Sequence, residues 1–363
     1  MKKTVLFIAA LCMALNACAA KPRPLVYFGD TLEWNTEWVR YQTGKVSKSL
    51  GLPEVSGIAC SRVTPGYIWM ESDDYETKII ATDERGLTTA MKVKFPKKIR
   101  WDWEDMSGGV YNGVNYLFIG AFGDNDETDG NYSIVYLEEP AITNGEITVE
   151  PRQIKFQYPE GIKHNAEALM YDNIEQKIYV ITKVYYNVCQ VFSLPFSLNY
   201  GDTLQTLTYE CDLGVITDIG ATDQGRCKGF HLVTGADISP DGKYILIKNH
   251  NNIVAIYSWV LLFTREDGES VAETLRRQQH PEPLYCYEYE WQGEAICWLD
   301  STTFYTTSDD DGEPPIYKYV KGGTGIEAVR ADNDQSHNLV YINGQLCIRS
   351  KEGLYALDGR KLE

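Results

Sequence analysis

The chain has no GxSxG elbow, no HExxH pair and no GxxxxGK[ST] loop. A serine hydrolase of the elbow type, a zincin and a P-loop enzyme are therefore without their signatures. Cysteines occur, but never as CxxC, which leaves no case for a structural zinc. Positive charge is in deficit: 34 Lys and Arg face 51 Asp and Glu, a formal net charge of -17. That removes the footprint of a nucleic-acid binder and argues against an anionic lipid surface. Cations and sugars stay open as ligands. Beyond the N-terminus no apolar run could span a bilayer; Ile253 to Phe263 falls well short.

The N-terminus carries Lys2-Lys3, an apolar run from Thr4 to Leu15 and then small residues. This is the pattern of a secretory leader over residues 1–20. Two processing routes are open. Leu15-Asn16-Ala17-Cys18 resembles a bacterial lipobox that would lipidate Cys18, and Ala17-Cys18-Ala19 fits a small-x-small cleavage site. The lipobox is the preferred reading. It gives an extracytoplasmic protein, lipid-anchored in the cell envelope or secreted, that touches the membrane only through its lipid. Of the seven cysteines past the leader at least one stays unpaired, because seven is odd. Buried free thiols are the simpler expectation, with a Cys189–Cys211 bridge as the alternative.

What is abundant is strand-forming sequence: 25 tyrosines and 12% aromatics. Five segments open alike: Glu54-Val-Ser-Gly-Ile-Ala, Trp103-Glu-Asp-Met-Ser, Asn165-Ala-Glu-Ala-Leu-Met, Thr234-Gly-Ala-Asp-Ile-Ser and Gln292-Gly-Glu-Ala-Ile-Cys. Each leads through a turn to a second strand and then a third. The apolar markers Ile58, Met106, Leu169, Ile238 and Ile296 recur at a period suited to a four-stranded β-propeller blade with loop insertions. Two insertions are residues 214–229 and 265–279, the second with a short helix from Glu269 to Arg277. The expected fold is all-β, a propeller body over 51–330. Three further strands in 331–363, joined by a ring-closing strand from 21–50 that includes Glu37 to Gln42, make six blades the favoured count. Five blades plus a C-terminal tail is the alternative; Leu354 to Leu362 resembles the tails of exported proteins of Bacteroidetes-type bacteria.

The chemistry centres on Trp101 to Asp126. Asp102, Glu104 and Asp105 are interleaved with Trp101 and Trp103, and Asp124-Asn125-Asp126 follows the next strand. If the repeats are in register, Glu104, Glu167, Asp237 and Glu294 line one channel. Four carboxylates around one axis repel without a cation, and calcium suits such oxygen ligands. The competing reading makes each acid an inter-blade staple to backbone N–H groups. His164 is the candidate general base beside Glu167 and Glu104. Asp102, Asp124, Asn125, Asn165 and His250 are candidates for binding at the channel mouth. Asp73-Asp74 and Asp309-Asp310-Asp311 end second strands and belong to the same rim, as ligands or as solvated turns. Trp101, Trp103, Trp291 and Trp298 read as blade packing rather than a sugar platform.

Taken in order, Glu54-x-Ser-Gly-Ile, Asp102-Trp-Glu-Asp-Met with Gly123-Asp-Asn, Tyr158-Pro-Glu-Gly with His164-Asn-Ala-Glu-Ala-Leu, Thr234-Gly-Ala-Asp-Ile-Ser-Pro-Asp-Gly and Gln292-Gly-Glu-Ala-Ile resemble a family of secreted bacterial propellers. That family is related to the phytase-esterase-like and SdiA-regulated propellers, and more distantly to the gluconolactonase-type calcium propellers. The resemblance spans about Leu52 to Tyr319. It implies a monomeric envelope propeller that binds a small molecule, a glycan or an envelope protein through its channel face. The alternative is a calcium-dependent hydrolase of phosphoester or lactone type. Two departures stand out: Ala121 where many members carry an acid, and Lys248-Asn249-His250 where an Arg-Thr-Tyr run is common.

Overall fold

The computed structural model describes residues 25–27, 30–32, 35, 37–73, 77–97, 99, 102–184, 188–214, 216–218, 231–251, 258–277, 281–284, 290, 292–310, 312–322, 337–342, 345–350 and 353–356. The leader with Cys18, together with Asp74, Trp101, Cys227, Cys286, Trp291 and Asp311, lies outside the described residues, as does most of the 214–229 insertion.

Five antiparallel blades form the body. Their innermost strands are Ile58–Cys60, Trp103–Tyr111, Ala166–Asp172, His231–Ile238 and Gly293–Asp300. The second strands are Tyr67–Met70, Val114–Ala121, Lys177–Thr182, Tyr244–Asn251 and Thr303–Ser308; the third are Lys78–Asp83, Tyr132–Glu138, Gln190–Pro195, Ser258–Thr264 and Pro315–Lys321. The third strand of the fourth blade is described from Ser258; the expected start at Ile253 lies outside the described residues. The outer edges of the first two blades each gain a short parallel strand from a later connection, Gly145–Thr148 and Gln205–Thr206.

The count is five blades, not the favoured six. Trp38–Lys45 pairs with Pro315–Lys321 and completes the fifth blade. Trp38 packs against Trp298 and Phe304, and the Arg40 guanidinium lies 4.3 Å from the Tyr317 ring centre. The strands His337–Ile342, Gln345–Ser350 and Gly353–Ala356 pair with one another in a separate three-stranded sheet. The fifth blade, short of one strand, takes the N-terminal segment, so none is left for a sixth.

Alternation along each strand explains the ring. In the first blade Trp69, Ile79, Ala81, Met91 and Val93 face the second blade, while Ile58, Cys60, Ile68, Met70 and Ile80 face the fifth. The five seams have five apolar cores. Between the second and third blades the core is aromatic, with Phe118 stacked on Tyr171 at 4.6 Å. Each fully buried side chain of this size stabilises the fold by about 1.5–3 kcal/mol, and no blade could bury both faces alone. The helix Val271–Arg277 caps the seam between the third and fourth blades through Val271 and Leu275. Ser270 and Glu273 exchange backbone N–H bonds at its start, which fixes that end.

Candidate functional site

Four of the five innermost strands are interrupted where they near the channel mouth. The register slips between Trp103 and Met106, Ala166 and Ala168, Val233 and Gly235, and Gly293 and Ile296. A bulge of this kind sets one extra residue against the partner strand and re-aims its side chain. The bulge residues are Glu104, Glu167, Thr234 and Glu294. In the first blade Glu71 N–H bonds to the Gly57 carbonyl, which puts Ser56 at the corresponding position. Two residues before it, Glu54, Asp102 and Gln292 share a positive φ (48°, 70° and 44°). Left-handed backbone at three equivalent non-glycine positions is costly and marks a shared turn onto the mouth.

Ser56, Glu104, Glu167, Thr234 and Glu294 thus form a ring, and all five are buried. Ser56 Oγ donates to the Glu104 carbonyl at 2.5 Å and lies 3.1 Å from Glu294 Oε2. Thr234 Oγ1 donates to the Gly293 carbonyl at 2.9 Å. The central finding is Lys183. It follows the second strand of the third blade, and its Nζ is ion-paired with Glu167. The Glu167, Glu294 and Glu104 charges raise the Lys183 ammonium against the opposing effect of burial, so it stays charged. Burial pushes the Glu104 carboxyl up, with Glu167 and Asp102 adding to it. Burial also raises Glu294, opposed by Lys183 and reinforced by Glu167, Asp309 and Asp73. Glu167 is raised by burial too, against its bonds from Lys183 and Asn165.

A rim of acids surrounds this ring. The residues facing Glu54, Asn165, Leu232 and Gln292 across the ladder are Asp73, Lys183, His250 and Asp309. Burial, then Asp309 and Glu54, lift the Asp73 carboxyl to about 8. Gly123 makes room for the second blade's share. A Cβ there would sit 1.8 Å from Glu104 Oε1 and 2.6 Å from the Asp102 carboxyl carbon. Below the rim, Glu71 is fully buried, and neither of its carboxyl oxygens has a hydrogen-bond partner among the described residues. Burial raises it, with Asp73, Asp105 and Glu294 adding to the effect.

Asp237 does not join the ring. The bulge residue of its blade is Thr234, and Asp237 lies three residues deeper, where its carboxylate accepts from Trp298 N at 2.8 Å and Ser107 Oγ at 3.1 Å. Asp105 works the same way, accepting Met106 N at 2.8 Å, Leu169 N at 2.8 Å and Ala236 N at 3.1 Å from three blades. For these two acids the staple reading describes the structure. The marker Ile238 is what misplaced Asp237: the residue equivalent to Met106, Leu169 and Ile296 is Ala236, two after the bulge at Thr234.

His164 is not at the ring either. Its imidazole packs on Tyr158 at 4.7 Å and Phe192 at 5.5 Å, and burial lowers its pKa. Asp124 organises its own loop. Burial acts upward on its carboxyl, but Tyr132 OH and the N–H groups of Asp129, Thr128 and Gly130 hold it below the usual range. Asn165 joins that loop to the ring: its Oδ1 accepts Asp124 N at 3.0 Å and its Nδ2 donates to Asn125 Oδ1 at 3.1 Å. Trp103 and Trp298 are buried in seams, as expected of packing residues.

For the calcium expected from the sequence, the structure places Lys183 beside Glu167 among the candidate ligands. The oxygens are suitable, but a charged ammonium already stands among them, and a dication would have to displace it. Among the described residues no group of three or more His, Cys, Asp or Glu side chains is placed to hold a metal ion. Lys183, Ser56 and Glu71 were missed in the sequence. The signal for Lys183 was there: a lysine ends the second strand where other blades place Asp73 and Asp309.

No protein-family model matches the chain, and no curated protein matches it. Among solved structures it is similar to the β-propeller domain of Cps50 (Swd1) from Myceliophteria thermophila, at 12% identity over 72% of this chain and 83% of that one, with a TM-score of 0.34. It is also similar to the hydrazine synthase of Kuenenia stuttgartiensis, at 12% identity over 83% of this chain and 78% of that one, with a TM-score of 0.32.

Proposed function

We propose that the chain is a binding propeller whose channel mouth receives an organic ammonium group. One observation carries this reading: the buried Lys183 ammonium is ion-paired with Glu167 and is also acted on electrostatically by Glu294 and Glu104, inside a rim that adds Glu54, Asp73, Asp102 and Asp309. The carboxyls outnumber the cation severalfold, and walls of low dielectric focus such a field on entering ligands. Burial and the charges of Asp309 and Glu54 raise the Asp73 carboxyl, so protons would offset part of this charge. A ligand cation would take over that task and release them. A phosphoester would meet like charge here, so phosphoester hydrolysis is not part of the proposal. With the leader of residues 1–20, the mouth faces the extracytoplasmic space, on a secreted or lipid-anchored propeller of the family named above.

Titration calorimetry with putrescine and choline, against inorganic phosphate and gluconate as controls, tests the reading. The amines should bind with proton release, visible as a heat that varies with the buffer's ionisation enthalpy. Glu104→Gln with Glu294→Gln should weaken binding at least tenfold. Failure of both amines to bind, or equal binding by the double variant, would refute it.

A further inference from the structure

Cys60 lies on the innermost strand of the first blade and Cys297 on that of the fifth. Their sulfurs are 3.4 Å apart although the residues are 237 positions apart in sequence. Both are free thiols in this structure. They meet inside the apolar core of one seam, among Ile58, Ile68, Ala295 and Tyr305. Burial raises the Cys297 thiol, and contact with Cys60 adds to that. Such surroundings suit neither a catalytic thiolate nor a metal ligand, both of which need the deprotonated sulfur. They suit a cross-link.

We propose that Cys60 and Cys297 are joined by a disulfide that closes the ring covalently. The oxidant is another disulfide, small or carried by a thiol–disulfide exchange protein. Cys60 is the more exposed of the two, at 7% against 1%, and reacts first. Its thiolate attacks one sulfur of the oxidant, forms a mixed disulfide and expels one thiol. Cys297 then loses its proton and attacks Cys60 Sγ, and the second thiol leaves. Two protein thiols give up two electrons and two protons, and one disulfide of the oxidant becomes two thiols.

The consequence lies in how the ring is shut. The strand Trp38–Lys45 is held to Pro315–Lys321 by a ladder and by side-chain packing, with no covalent link. A Cys60–Cys297 bond would encircle all five innermost strands, so peeling of the N-terminal strand would leave the ring closed. A loop of this length removes much of the freedom of the unfolded chain.

The test uses the full chain, equilibrated with oxidised glutathione and digested after alkylation. A peptide pair linked through Cys60 and Cys297 is expected. Reduction should lower Tm by several degrees, and this shift should vanish in Cys60→Ser and in Cys297→Ser. If either variant fails to fold, the peptide map of the unaltered chain decides. Alkylation of both as free thiols, separate glutathione adducts, bridges to other cysteines, or undiminished reductant sensitivity in Cys60→Ser would each overturn the proposal.

Discussion

Two layers of acids occupy the channel, and they differ in what they face. Asp105 and Asp237 accept backbone N–H groups from neighbouring blades. Glu104, Glu167 and Glu294 face one another around Lys183. The lower layer satisfies its carboxylates with fixed donors and so holds blades together. The upper layer instead sets its carboxyls against one another with Lys183 as their cation, while burial raises the carboxyls of both layers. Identical side-chain chemistry thus serves cohesion at one depth and availability at another.

The comparison breaks first at Asp105. Asp105→Ala orphans three buried N–H groups and should cost about 3–5 kcal/mol in urea unfolding. Glu104→Gln, which imitates the protonated ring acid, should cost less than about 1 kcal/mol. Equal losses would erase the distinction between the layers. Next in size is Lys183→Met, which removes the one buried cation of the ring. A loss of about 2–3 kcal/mol is expected at pH 8, and a smaller one at pH 5, where the acids carry protons.

The acid layers should also set the pH profile. A carboxyl whose folded pKa exceeds its unfolded value binds protons more tightly in the fold, so its contribution is favourable at low pH and lost as pH rises. Asp237 is raised to about 6 by burial and Asp73 to about 8 by burial and its acidic neighbours. Stability should therefore increase as pH falls from 8 towards 5, read as Tm. Asp73→Asn should flatten the upper part of that window. A Tm that drops steadily over the same range would contradict the assignment. The smallest effect sharpens the contrast with a calcium propeller: with Lys183 in place, chelation or added calcium should move Tm by less than about 1 °C.

Much of the fold was legible because alternation and turn chemistry repeat five times. The five opening segments all become innermost strands, and the helix expected over Glu269 to Arg277 forms as Val271–Arg277. The blade count was not legible, since three good C-terminal strands read equally well as a blade or as a separate sheet. At the site, Glu104, Glu167 and Glu294 could be found because their local motifs match. Asp237 departs from that pattern, standing directly before Ile238 where each glutamate stands two residues before its apolar marker, and the bulge of its blade falls three residues earlier, at Thr234. His164 looked chemical beside Asn165 and Glu167, but its ring packs on the nearby Tyr158 and on Phe192 of the same blade's third strand, a contact that only the folded blade makes. Cys60 and Cys297 gave no signal at all, since only closure of the ring brings them together.

The interrupted ladders have one more implication. Because four of the five innermost strands carry their slip at the same height, each of those sectors delivers a single side chain to the centre without altering how the sheets are knit. With Ser56 at the corresponding place in the first blade, the occupants are five single positions on a shared frame. If the mouth binds as proposed, its preference for guests would drift through point changes at those five positions, with the architecture left as it is.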